Sequence, residues 1–306
     1  MRIALVTPAG PGTRNGNRHT ALRWAAFLRA AGHTVSVSVE WPGEPADLML
    51  ALHARRSHAS IKSFPRARVV ALTGTDVYRD IRTSAEARES LELADRLITL
   101  QPRAADELPA RLRRKVRVVV QSSASRLRHA PVRHFRVCVI GHLREEKDPL
   151  RIVAALPHID ADVEVIHLGA PLDPQLVPRT DDARYRWLGS VPHARALKWL
   201  ASSHAMVISS RMEGGANVVC EALRIGVPVL ASRISGNVGL LGKGYAGYFP
   251  VGDEHALARL VDRAAADPRF YRELKRQVAS LRSSVAPHAE ARALLAALKG
   301  LTATRR

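Results

Sequence analysis

"EGGANVVCEALRIGVPVLAS", Glu213–Ser232, sets a carboxylate beside two glycines and a second carboxylate eight residues on, just before an apolar run. A helix built only for packing would not carry paired glycines near its start, since each costs roughly 1 kcal/mol relative to alanine in a helix interior. The pair therefore marks a place where something approaches the backbone. The stretch follows "AMVISS" (205–210) and runs into "VPVLAS" (227–232), so it reads as strand, loop, helix and strand.

The same alternation extends outward in both directions. In the first half "RIALVT" (2–7), "HTVSVSV" (33–39), "ADLMLAL" (46–52), "ARVVALT" (67–73), "RLITL" (96–100) and "KVRVVV" (115–120) read as strands. Several are almost continuously apolar, as when both faces of a parallel sheet are covered. Between the first two, Ala21, Trp24, Ala25 and Leu28 share one helical face and Gly32 supplies a stop, which makes a βαβ unit. "QSSASRLRHAPVRHFR" (121–136) is polar, basic and without apolar period, and reads as a linker. The alternation restarts with "RVCVIGHL" (136–143), "DVEVIHLG" (162–169) and "YRWLGSV" (185–191), and the chain is helical from about Asp253 onward. These signs predict two doubly wound α/β domains in tandem with a cleft between them.

Composition narrows the function classes. Lys and Arg number 47 against 28 Asp and Glu, a net charge of +19, which suits nucleic acid, an anionic surface or a phosphorylated substrate. Aromatic residues are only 5% and do not interleave with the basic ones, which argues against a stacking platform for single strands. The two cysteines, Cys138 and Cys220, lie in apolar contexts without CxxC spacing and read as buried thiols of a reducing cytosol. There is no signal-peptide pattern, no run of membrane-spanning length, and no HExxH or paired-cysteine spacing for a metal. The expectation is a cytoplasmic protein without a membrane span or a required metal.

Parallel sheets bind ligands at the carboxyl ends of their strands, and polar clusters sit after the strands in this sequence. The loop "PAGPGTRNGNRHT" (8–20) offers Gly10, Gly12, Gly16 and Arg18 at a helix start, which favours an anion over the NAD fingerprint it lacks. "LHARRSH" (52–58) brings Arg55 and Arg56 together, flanked by His53 and His58, as a seat for an oxyanion. In "LTGTDVYRD" (72–80), Thr73, Gly74 and Asp76 are placed to meet a polar ligand, and Thr75 or Asp76 equally to cap the next helix. "GHLREEKDP" (141–149) carries Arg144 and Lys147, two cations suited to a diphosphate if Glu145 and Glu146 point away and otherwise a mixed-charge surface loop, ahead of a helix expected to open at Asp148-Pro149. The helix after Glu213 is expected to begin near Gly215 or Ala216, leaving N–H groups for phosphate oxygens. Glu213 and Glu221 then remain for sugar hydroxyls.

Glu213 and Glu221 at E-x7-E spacing, followed by "ALRIGVPVLASRISGNVGLL", resemble the signature of GT-B glycosyltransferases of the glycogen-synthase-like, nucleotide-sugar-using group. "GHLREEKDP" is similar to that group's Gly-Arg-Leu-x-x-x-Lys loop. Across nearly the whole chain, "VTPAGPGTRNGNRHTALRWA", "ALHARRSH", "ALTGTDVYRDI" and "GHLREEKDPLR" resemble the selenosugar synthases of selenoneine biosynthesis. These join selenophosphate to the sugar of a UDP-sugar, releasing UDP and phosphate.

The resemblance implies an acceptor domain over 1–125, a linker over 126–135, a nucleotide-sugar domain over 136–285, and a last helix (286–306) returning to the first domain. It implies that Glu221 holds the ribose and Glu213 the donor sugar, with Gly214, Gly215, Ala216 and Asn217 facing sugar and diphosphate. Gly16 joins the nucleotide-sugar set, and Lys147 and Arg144 assist the departing UDP. Arg18, Arg55, Arg56, Thr73 and Asp76 form the selenophosphate seat. Its partners would be a UDP-sugar (UDP-GlcNAc or UDP-glucose), selenophosphate, and the pathway neighbours that make selenophosphate and use the selenosugar. No nucleic acid is implied.

Two positions depart from the family pattern: His142 stands where the general family has its diphosphate arginine, and Thr73 about where many relatives place a histidine. Both make chemical sense for a selenophosphate acceptor, which is already anionic and nucleophilic and needs a cationic seat more than a base. A glycosyltransferase with a lipid or saccharide acceptor, and a non-catalytic nucleotide-sugar or nucleic-acid binder, are the rival readings.

Overall fold

The computed structural model describes residues 1–13 and 16–301. It divides into two compact units, one formed by Met1–Gln121 with the C-terminal segment from Pro287, the other by Ser122–Ala286.

The first unit contains a six-stranded parallel sheet in the order β2-β1-β3-β4-β5-β6. Its strands are β1 Arg2–Val6, β2 Thr34–Ser38, β3 Leu48–Leu52, β4 Ala67–Leu72, β5 Arg96–Thr99 and β6 Val116–Val118. Each strand sends alternate residues to opposite faces. Leu5, Leu48, Leu50 and Leu52 pack with Trp24 and Leu28 of helix Gly16–Ala30 on one face. Val6, Met49 and Ala51 pack with Ile61, Phe64 and Leu91 on the other. Burial on both faces is why the strands lack the alternation of a half-solvated sheet.

The last helix, Pro287–Leu298, lies against helix Gly16–Ala30 in this unit. It is fastened by Glu290, whose buried carboxylate accepts from Trp24 Nε1 at 2.7 Å and Arg23 Nε at 2.8 Å.

The second unit repeats the architecture with the order β12-β11-β10-β7-β8-β9. Its strands are β7 Phe135–Ile140, β8 Val163–Leu168, β9 Tyr185–Trp187, β10 Ala205–Ile208, β11 Val229–Ser232 and β12 Tyr248–Phe249. Strand β12 has no counterpart in the sequence reading, because two residues at a sheet edge carry no period. One correction is local. Asp148 does not open a helix: it ends a single 3-10 turn, Glu145–Lys147, in a left-handed conformation (φ 45°), and the helix starts at Arg151. The presumed linker is held along the second unit, with N–H groups of His129, Ala130 and Val132 bonded to Ile225, Ala201 and Ser202 carbonyls.

His167 in β8 is wholly buried, with Nδ1 2.7 Å from the Tyr185 hydroxyl, and burial pushes its pKa down to about 4. In the unfolded chain it would take up a proton near pH 6.5. Between those values the unfolded state binds more protons than the folded one, so stability falls as pH drops from 6.5 toward 4, by about 3 kcal/mol in total. Urea unfolding across this range should show a shallower pH slope for His167→Leu than for the wild type; equal slopes would refute the assignment. No helix among the described residues is long and apolar enough to cross a membrane.

Candidate functional site

In each sheet the strand order reverses once, and the loops on either side of the reversal carry the candidate residues. A parallel sheet opens a crevice at that point, because successive crossovers leave in opposite directions. In the second sheet the reversal lies between β7 and β10, which pair Ala205 with Val137 and Val207 with Val139. In the first it lies between β1 and β3.

After β7 the chain makes the turn ending in Lys147; after β10 it runs through Ser209 and Ser210 to Glu213. The two loops are joined by hydrogen bonds, Arg211 N–H to Glu146 O at 2.9 Å and Ser209 Oγ to Asp148 O at 2.8 Å. Glu213 is 7% exposed, and its Oε1 accepts from Ser210 Oγ at 2.7 Å and from Lys147 Nζ. A carboxylate this buried requires such partners, because an unpaired charge loses its hydration without compensation. The loop is supported from below: Ser232 Oγ donates to Ser210 O at 2.6 Å, and Asn237 Nδ2 to Ser232 O at 2.9 Å. Gly236, in helix Ser235–Leu241, lets that helix reach the Glu213 backbone, since a Cβ there would lie 2.1 Å from Glu213 O.

Gly214, Gly215 and Ala216 lead from Glu213 into helix Asn217–Ile225. Its N-cap is Ala216, and no side chain caps it. Ala216 has no side-chain oxygen to offer the first turn, the Val219 N–H returns to Ala216 O at 3.0 Å, and the positive end of the helix dipole favours an anion. Gly141, Lys147, Pro149, Ser209, Ser210 and Glu213 line a small pocket at this crevice. Glu221 lies on the second turn of the helix, half-buried, and its Oε1 accepts from His193 Nε2 at 2.7 Å.

Lys147, Glu213 and the 214–217 backbone thus come together, while Arg144 and His142 stand differently. Arg144 is exposed and pairs with Glu146 at 3.2 Å, rather than with a carboxylate of the Glu213 loop. His142 turns its Nδ1 to the Ala170 N–H at 3.1 Å, beside the loop after β8.

At the first unit's reversal, helix Gly16–Ala30 starts after β1, with Gly16 exposed and Arg18 half-buried in its first turn. Arg14 and Asn15 of this loop lie outside the described residues. Beyond β3, Arg55 and Arg56 are both exposed. Arg55 Nε is held at 3.1 Å from Asp80 Oδ2, which leaves the guanidinium's remaining donors for a ligand.

Near the expected oxyanion seat, His53 and Asp76 are engaged within the protein and the Thr73 hydroxyl is not. His53 is buried, in a left-handed conformation (φ 75°), and desolvation lowers its pKa, so it is a neutral acceptor of the Arg56 N–H at 3.3 Å. Asp76 is fully buried and accepts from the N–H groups of Ala54 (3.1 Å), Thr73 (3.1 Å) and Gly74 (2.8 Å). It ties the β3 and β4 loops together. Thr73 is half-buried, and its hydroxyl has no hydrogen-bond partner among the described residues.

Sequence reasoning missed Ser210, His193 and Gly236. Ser210 and Gly236 act through neighbours distant in the chain, and His193 sits in a helix start without a motif.

Residues 134–267 match the family model described as "Glycosyl transferases group 1". Solved structures with the same fold include sucrose-phosphate synthase from Thermosynechococcus elongatus, at 18% identity and a TM-score of 0.78, covering 99% of this chain and 100% of that one. Anabaena Alr3699/HepE in complex with UDP-glucose matches at 16% identity and a TM-score of 0.79, covering 98% and 100% of the two chains. The lipopolysaccharide outer core galactosyltransferase WaaB in its apo form matches at 12% identity and a TM-score of 0.71, covering 97% and 99%. The chain therefore has the two-domain GT-B fold, and its second unit matches the group 1 glycosyl transferases over residues 134–267.

Proposed function

We propose that the protein is a glycosyltransferase that binds a UDP-sugar on its second unit and transfers the sugar to selenophosphate. The observation that carries the donor half is the Lys147–Glu213–Ser210 cluster beside an uncapped helix start at the strand-order reversal. The helix start and Lys147 suit a diphosphate, and a fixed, buried carboxylate suits hydroxyls of the attached sugar. Relatives of the same fold bind such donors, the Anabaena protein having been crystallised with UDP-glucose.

The acceptor half rests on the resemblance to the selenosugar synthases and on the first unit's chemistry. Arg55 and Arg56 stand exposed at that unit's reversal, where planar guanidinium groups suit a phosphate-like oxyanion. Asp76 and the neutral His53 hold the loops in place, which fits an acceptor that needs no base. In the reaction the C1–O bond to UDP breaks, UDP leaves with the electron pair, and selenium supplies the pair for the new C1–Se bond. Water then cleaves Se–P, giving phosphate and the selenosugar. Lys147 and the helix start offset the charge that grows on UDP.

Incubating UDP-GlcNAc or UDP-glucose with selenophosphate and the protein should yield UDP and a selenium-containing sugar by mass spectrometry. Consumption of donor only with a saccharide or lipid acceptor would refute the selenophosphate reading. In the productive assay, Arg55→Gln with Arg56→Gln should raise the acceptor KM at least tenfold and leave UDP affinity within about twofold, each charge-assisted bond contributing roughly 1.5–3 kcal/mol. Unchanged kinetics would remove the arginines from the acceptor site.

A further inference from the structure

We propose that His193 is a positioning residue for nucleotide recognition: it fixes the Glu221 carboxylate so that Oε2 is presented to the ribose of the UDP moiety. This rests on the UDP-sugar reading above and adds a residue from a different helix. His193 is the first residue of helix His193–Ala201, which packs against helix Asn217–Ile225. Its side chain is 63% exposed, and its Nε2 lies 2.7 Å from Glu221 Oε1. A carboxylate only accepts, so Nε2 is the donor and carries the proton in either charge state of the imidazole. Glu221 Oε2 accepts no hydrogen bond among the described residues, which leaves it for a hydroxyl.

The position of the histidine is informative. A helix N-terminus disfavours a nearby positive charge, yet the hydrogen bond and charge of Glu221 raise the His193 pKa. The contact joins two helices and is not a cap of the histidine's own helix. A glutamate two turns into a helix has several rotamers, and ordering them upon binding reduces affinity. A partner that orders the side chain beforehand removes part of that cost. Pro192, the N-cap residue with φ −56°, limits the backbone that leads into His193.

Calorimetric titration of the full chain with UDP and with 2′-deoxy-UDP tests this. His193→Ala should weaken UDP binding about five- to tenfold, change 2′-deoxy-UDP binding by less than twofold, and so narrow the discrimination between them. His193→Gln, whose amide Nε2 can stand in for the imidazole N–H, should restore UDP affinity to within about twofold. Because the side chain is largely exposed, the thermal midpoint should not move. If wild type binds UDP and His193→Ala binds it equally or more tightly, the histidine is a bystander or a competitor and the proposal fails. Equal weakening for both nucleotides also refutes it, since ribose would not be involved. If wild type binds no UDP at all, the donor assignment falls and this inference with it, an outcome distinguished by the wild type alone.

Discussion

Gly236→Ala is expected to lower UDP-sugar turnover at least a hundredfold, although residue 236 carries no functional group. The new methyl carbon would lie 2.1 Å from Glu213 O and 2.9 Å from Glu213 Cβ, both far inside contact distance. The first clash is with backbone, which cannot rotate away as a flexible side-chain end would. Helix Ser235–Leu241 cannot easily retreat, because Asn237 is buried and its amide bonds Ser232, which in turn holds the Ser210 carbonyl. The strain is therefore relieved at the Glu213 loop, whose carboxylate then leaves Ser210 Oγ and Lys147 Nζ. A displacement of about 1 Å at a reacting centre is enough for a hundredfold loss.

Overpacking should also lower stability by about 1–3 kcal/mol in urea unfolding. Gly244→Ala is the control: it is exposed, nothing lies within 4 Å of its would-be Cβ, and neither turnover nor stability should change. A Gly236→Ala enzyme with normal turnover would show that the Glu213 backbone position is not what the site depends on.

What the sequence revealed and what it hid follow from the range of the interactions involved. Strands such as "RIALV" and "VEVIHL" were legible because burial on both faces leaves a continuous apolar run. The strand-order reversals were not legible, since nothing local to β7 or β10 records which strand becomes its neighbour. The resemblance put Lys147 on the diphosphate and Glu213 on the donor sugar, whereas their ion pair depends on a parallel pairing of strands about 70 residues apart.

Asp76 shows the opposite failure. An aspartate after a strand reads equally as ligand or cap, and only the Ala54 N–H, brought in by β3, makes it an internal fastener. His53 read as a cation because its neighbours are arginines; burial, which no spacing encodes, makes it neutral.

The Lys147–Glu213 pair gives the second large effect, and it separates a structural ion pair from a working one. Glu213 has a side chain 8% exposed and Lys147 one 24% exposed, so each depends on the other for part of the hydration it has lost. Lys147→Met leaves the carboxylate with Ser210 Oγ alone, and stability should fall by about 1–3 kcal/mol, below the 3–5 kcal/mol typical of breaking a fully buried pair. Adding Glu213→Gln removes the stranded charge while keeping a hydrogen-bond acceptor for Ser210. The double variant should accordingly regain stability to within about 1 kcal/mol of wild type.

Turnover should behave otherwise. Under the proposed function the ammonium offsets the charge on departing UDP and the carboxylate accepts from sugar hydroxyls, so each single change should cost about 10²- to 10³-fold in kcat. Residues acting as a unit are not additive, so the double variant should be little worse than the poorer single and certainly no better. Urea unfolding and UDP-sugar turnover on the same three proteins would read both quantities. Recovery of stability without recovery of turnover is the result that a functional pair requires, because apart from its charge balance the loop has lost only its chemistry. A double variant that regained both would identify the pair as a fastener between the β7 and β10 loops and move the donor site elsewhere.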